Sequence, residues 1–301
     1  MSKSNINRRE AVKNISLGLS AIPMGVSAMT NYSDTKIEHF SDAYQTSLKG
    51  NINHAVCRWC YQDIPLEEFA KKSKNIGIQA IDLLKPDEWK VIEGQGLVCS
   101  LATDTFASIT DGFNNPKNHE SLQKQYTGLI SKASQSGIKQ VIVFSGNRAG
   151  ISDEVGIENC ANGLEPLVKL AEKSNVILVM ELLNSRVDHK DYQCDHTPWG
   201  VALADKIGSQ NFKLLYDIYH MQIMEGDVIS TINTYKDYIS HYHTGGVPGR
   251  HEINDSQELN YPAIMKAILA NGFNGYVAQE FIPTYEDKLQ SLQEGITICD
   301  V

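Results

Sequence analysis

Residues 213–224 read KLLYDIYHMQIM. Leu214, Leu215 and Tyr216 have the composition of a short strand buried on both faces, and Asp217 stands where that strand should stop. A carboxylate at the end of an apolar strand is costly to desolvate unless a cation meets it. His220 and Gln222 follow at once, so polar groups gather at one strand end. Three further strand-like runs in this half of the chain also end in a potential metal ligand: 176–180 in Glu181, 238–242 in His243 and 276–279 in Glu280. The expectation is that Glu181, Asp217, His243 and Glu280 meet around one divalent cation.

Working outward, the same alternation of short apolar runs and longer stretches with helical spacing begins at Asn51 and continues to the end of the chain. Strands are expected over 52–58, 78–84, 97–103, 140–145, 176–180, 212–216, 238–242 and 276–279, and helices over 66–75, 87–93, 118–136, 155–174, 199–207, 228–236, 261–271 and 287–294. The strands are continuous rather than alternating apolar runs, as a parallel sheet covered on both faces requires. Eight strand-helix units in this length point to an α/β protein built as a single (β/α)8 TIM barrel over 51–301. In that architecture the active site lies at the carboxyl ends of the strands, and the four candidate ligands would end strands five to eight, which are neighbours on the rim. Three carboxylates and one imidazole form a hard, oxygen-rich shell suited to manganese, magnesium or cobalt more than to zinc. Trp59 closes the first strand, where its ring can stack on a sugar or pack in the core. His241 is expected to face the surrounding helices in a structural role.

The segments 216–226, YDIYHMQIMEG, and 248–252, PGRHE, followed by 258–261, ELNY, resemble the hydroxypyruvate isomerase group within the xylose-isomerase-like sugar isomerases and epimerases. Residues 181–186, ELLNSR, and 279–281, QEF, fit the same pattern, which is dense from Glu181 onward and loose in the front half. The resemblance implies that Glu181 and Glu280 are metal ligands that also act as catalytic acid and base, that Asp217 completes the shell, and that His220 and Arg250 contact substrate oxygens. The position of His243 is a glutamine in the isomerases of that group and a histidine in the related ketose 3-epimerases. Asp82 stands where relatives often carry glutamate.

The implied activity is isomerisation or epimerisation of a small keto-sugar or hydroxy-keto acid through an enediolate. The same chemistry would cleave a 3-keto-glycoside by elimination if a leaving group sat one carbon further on. A non-catalytic sugar-binding barrel is the alternative of another class.

Composition bounds the partners. The chain has 301 residues, 42% of them hydrophobic, and a formal net charge of -9, which argues against nucleic acid as a partner. The first residues differ: Lys3, Arg8, Arg9 and Lys13 precede an uncharged run over 15–28 that ends in the small residues Ser27 and Ala28. This is the layout of an export signal over 1–28, with a twin-arginine-like pair, followed by a polar linker over 29–50. Gly18, Pro23 and Gly25 and the shortness of the run oppose a stable membrane span. The expected location is the periplasm, or the cytoplasm if the leader is not processed. Cys57 and Cys60 form a lone C-x-x-C, a weak zinc signal and a minor disulfide candidate; all six cysteines are read as mainly structural. The partner expected is a small carbohydrate, and homo-oligomerisation is left open.

Overall fold

The computed structural model describes residues 47–301. The export-signal reading lies outside these residues, as does the linker reading except at 47–50.

Eight parallel strands alternate with helices. They are β1 (Asn53–Cys57), β2 (Ala80–Asp82), β3 (Val98–Cys99), β4 (Gln140–Val143), β5 (Ile177–Glu181), β6 (Phe212–Asp217), β7 (Ile239–Thr244) and β8 (Tyr276–Gln279). The helices are α1 (Leu66–Ile76), α2 (Trp89–Glu93), α3 (His119–Gln135), α4 (Asp153–Ser174), α5 (Thr197–Ile207), α6 (Ile218–Met224), α7 (Val228–Tyr235), α8 (Tyr261–Ala270) and α9 (Lys288–Cys299). Every strand except β3, which exposes Val98, buries nearly every residue, because its inner face fills the middle of the sheet and its outer face packs on helices. Helix ends follow their local chemistry. Gly77 closes α1 at φ 110°, a left-handed conformation that a Cβ disfavours, and the Ser152 hydroxyl accepts the Val155 N–H at the start of α4.

The strands lie in the order β3-β2-β1-β8-β7-β6-β5-β4. This corrects the expectation of a closed barrel: the sheet curls round but stays open between β3 and β4, where one residue forms the seam. Ala102 donates its N–H to Gln140 O at 2.9 Å and accepts from Ile142 N–H at 3.0 Å. The cause is local. Leu83 sits at φ 60°, a region that disfavours a residue with a bulky side chain, and it ends β2 at Asp82. The β2–β3 ladder breaks there and resumes only as the single pair Leu84–Ala102, so β3 is two residues long instead of the seven expected.

Sequence reading also missed α6. Its seven residues are rich in aromatic and β-branched side chains, but Asp217 caps the helix by accepting the His220 N–H at 3.0 Å. Strand β6 therefore runs into α6 without a loop, and Asp217 belongs to both.

Candidate metal centre and active site

Strands β5 to β8 are consecutive neighbours, and their carboxyl ends carry Glu181, Asp217, His243 and, one residue past β8, Glu280. One ligand atom from each of the four lies within 4.8 Å of the others. Asp217 and His243 are fully buried, and Glu181 and Glu280 are nearly so. His243 Nδ1 is 2.8 Å from Glu280 Oε2 and 3.4 Å from Glu181 Oε1. Asp217 spends Oδ1 on its helix cap, which leaves Oδ2 facing the cluster.

Arg250 is the guanidinium that meets these carboxylates. Its Nη2 lies 2.5 Å from Glu280 Oε2 and 3.2 Å from Asp217 Oδ2, and its Nε donates to Glu280 O. The guanidinium is held between the rings of Trp59 and Tyr219, at 5.2 and 5.3 Å from their centroids. Trp59 in turn donates its indole N–H to Glu280 Oε1 at 2.7 Å. Trp59 thus offers one ring face to Arg250 and its polar edge to Glu280, which places it in the site by a route other than sugar stacking.

Electrostatics follow from this crowding. Burial pushes the Asp217 carboxyl up to about 8 despite the opposing pull of Arg250. Burial would also raise Glu280, but His243 and Arg250 hold it well below the usual carboxylate range. His220 is fully buried, and burial together with the Arg250 cation keeps its pKa well below the usual imidazole value. Three carboxyl groups crowded against one guanidinium and one imidazole offer hard oxygen donors at one buried point. That donor set fits a divalent cation, which Glu181, Asp217, His243 and Glu280 would hold.

A second layer lies against the far side of His243. Asp82, fully buried at the end of β2, accepts from the Ser100 hydroxyl, and its Oδ2 lies 2.5 Å from His241 Nε2 and 3.1 Å from His243 Nε2. The placement of His241 toward the helices is therefore corrected: residues two apart on a strand share a face, and His241 points inward beside His243. Asp82, His241 and His243 have metal-ligand geometry too, as do Cys57, His243 and Glu280. Cys57 and Cys60 are free thiols, and Cys57 Sγ lies 3.6 Å from His243 Nε2. Burial pushes both thiols well above their ordinary pKa, so neither has the character of a zinc thiolate.

Sequence reasoning missed the partnership of Asp82 with the two histidines and the position of Asn184. The signal for Asp82 was the same one that marked the four ligands, an acidic residue closing an apolar strand. For Asn184 the signal was its place three residues after Glu181.

Comparison with known proteins agrees with this architecture. The family model described as a xylose isomerase-like TIM barrel matches residues 60–297. A putative hydroxypyruvate isomerase from Homo sapiens is 24% identical over 232 residues, covering 75% of this chain and 77% of its own length. The hydroxypyruvate isomerase of Escherichia coli strain K12 is 30% identical over 169 residues, covering 56% of this chain and 65% of its own length. In fold, the chain is similar to a 3-keto-D-glucoside 4-epimerase from E. coli, with a TM-score of 0.67 and 17% identity over 82% of this chain and 98% of the other. The match of the family model across most of the chain, on a curled sheet of eight parallel strands, means that this protein belongs to the xylose isomerase-like TIM barrel family.

Proposed function

We propose that this protein is a divalent-metal-dependent isomerase or epimerase of a small keto-sugar or hydroxy-keto acid. The observation that carries the reading is the convergence of Glu181, Asp217, His243 and Glu280 on one buried point. A divalent cation bound there, with manganese, magnesium or cobalt preferred by the oxygen-rich donors, would draw electron density from a carbonyl and its neighbouring hydroxyl and acidify the intervening C–H.

The chain's own residues supply the proton traffic. Among the described residues Glu181 has only His243 within ion-pair distance, so it keeps lone pairs free to take the carbon-bound proton. Glu280 is fixed by Trp59, His243 and Arg250 and serves as the second carboxylate. Return of the proton to the adjacent carbon is isomerisation, and return to the opposite face of the same carbon is epimerisation. Arg250 and His220 orient substrate oxygens in this scheme.

A second reading has its own support. The basic residues and apolar run over 1–28 favour export to the periplasm, which weakens hydroxypyruvate, an intracellular metabolite, as the substrate and favours a 3-keto-glycoside derived from an external glycoside. Elimination of the leaving group after the same proton abstraction would then cleave the glycoside, and the E. coli protein that shares this fold has a 3-keto-D-glucoside in its name.

The test is incubation of the Mn²⁺-loaded protein with ketoses, hydroxypyruvate and 3-keto-glycosides in deuterated water, followed by NMR. The expected result is deuterium at the carbon next to the carbonyl with the wild type and none with Glu181→Gln or Glu280→Gln. Exchange that persists in both variants overturns the acid-base assignment. No exchange with the wild type on any member of the panel favours a sugar-binding barrel instead.

A further inference from the structure

The loop after β5 holds an amide whose orientation is dictated on both sides. Asn184 Oδ1 accepts the backbone N–H groups of Val187 at 3.0 Å and Asp188 at 2.9 Å, which fixes that side of the amide as the oxygen. Its Nδ2 is therefore the atom that faces Asp188 Oδ2 at 2.6 Å and His220 Nδ1 at 2.6 Å. Asp188 Oδ2 is also held by the Tyr219 hydroxyl at 2.9 Å. An amide nitrogen donates and cannot accept, so His220 Nδ1 must be the acceptor and a neutral ring must carry its proton on Nε2.

That Nε2 is buried and has no hydrogen-bond partner among the described residues. It lies 3.6 Å from Asp217 Oδ2, beyond hydrogen-bond reach. A buried donor left unpaired is costly, and it is free to take an acceptor. In this position, beside one of the four candidate ligands, an uncharged N–H in a dry site is suited to an oxygen on which negative charge builds up.

We propose that Asn184 is a positioning residue that selects the Nε2–H tautomer of His220, and so presents that buried N–H to the substrate oxygen that His220 meets under the function proposed above. The substrate half rests on the function proposed above; the tautomer half does not. Asp188 and Tyr219 serve the same end by keeping the amide from turning over.

The experiment reads the ring nitrogens of the full-length ¹⁵N-labelled protein by long-range proton–nitrogen NMR, with His220→Gln used to assign the signals. The wild type is expected to show an unprotonated Nδ1 and a protonated Nε2 at His220, and the opposite pattern overturns the proposal whatever any variant does. The variant Asn184→Asp combined with Asp188→Asn exchanges carboxylate and amide. An oxygen still caps the two backbone N–H groups, but the atom facing His220 becomes an acceptor. The proton should move to Nδ1, and deuterium exchange at the substrate carbon should fall roughly 100-fold. A reversed tautomer with unchanged exchange overturns the substrate half. A retained Nε2–H in the double variant overturns the role of Asn184. Correct wild-type tautomer with no wild-type exchange removes the proposed function and the substrate half together, and leaves the tautomer assignment standing.

Discussion

Asp82 and His243 are 161 residues apart in the chain, and Asp82 Oδ2 lies 3.1 Å from His243 Nε2. The contact places a carboxylate from β2 behind an imidazole whose other nitrogen faces the cluster of Glu181, Asp217 and Glu280. Carboxylates in this position fix the orientation of a ligating imidazole and raise its basicity.

Asp82→Ala should weaken Mn²⁺ binding by about 10- to 100-fold, as measured by calorimetric titration. It should also destabilise the metal-free fold by about 3–5 kcal/mol in urea unfolding, because two buried histidines lose their carboxylate. Unchanged Mn²⁺ affinity in a folded variant would separate His243 from the metal.

Removing Arg250 tests the charge balance at the rim. Arg250→Ala leaves Asp217 and Glu280 without their guanidinium and should cost about 3–5 kcal/mol in the metal-free protein. The rise in Tm on adding Mn²⁺ should then be larger than in the wild type, since the ion replaces the missing positive charge. Equal Mn²⁺-induced shifts in both proteins would count against a shared cation site.

Trp59→Phe keeps an aromatic face for Arg250 and deletes only the N–H that reaches Glu280 Oε1. The loss of one hydrogen bond to a charged acceptor is about 1.5 kcal/mol, so kcat/KM should drop about tenfold while the far-UV spectrum is preserved. A full-strength variant would show that Glu280 is positioned without Trp59.

Acid stability should depend on His54. Burial pushes its pKa down from 6.5 to about 4, against the weaker upward pull of Asp300. Neither ring nitrogen has a hydrogen-bond partner among the described residues. As pH falls, the unfolded chain takes up a proton near 6.5 that the folded chain refuses until about 4, so stability is lost as pH falls through that window. The shift corresponds to about 3 kcal/mol. His54→Gln should flatten that part of the curve in urea unfolding measured across the same pH range.

The strand ends were legible because chemistry and periodicity coincide there. Glu181 and Asp217 each interrupt an apolar run, and His243 and Glu280 close strand-like runs at the same level. The strands carrying them agree with expectation to within a residue or two. What could not be read depends on partners remote in sequence or on single torsions. Nothing near Asp82 announces that its carboxylate meets two histidines more than 150 residues away. The early end of β2 follows from Leu83 entering the left-handed region, which its side chain gives no reason to expect. Asn184 looks like an ordinary loop amide until its two faces are seen to be occupied by different kinds of partner.

The seam at Ala102 also divides the molecule mechanically. The four rim residues come from neighbouring strands paired edge to edge, with one register shift between β6 and β7, whereas Asp82 reaches them from the short-stranded side, next to the open edge of the sheet. Breathing at the seam would leave the candidate quartet in place but slacken the brace behind His243, so small openings there would be felt first as a change in how firmly the imidazole is aimed.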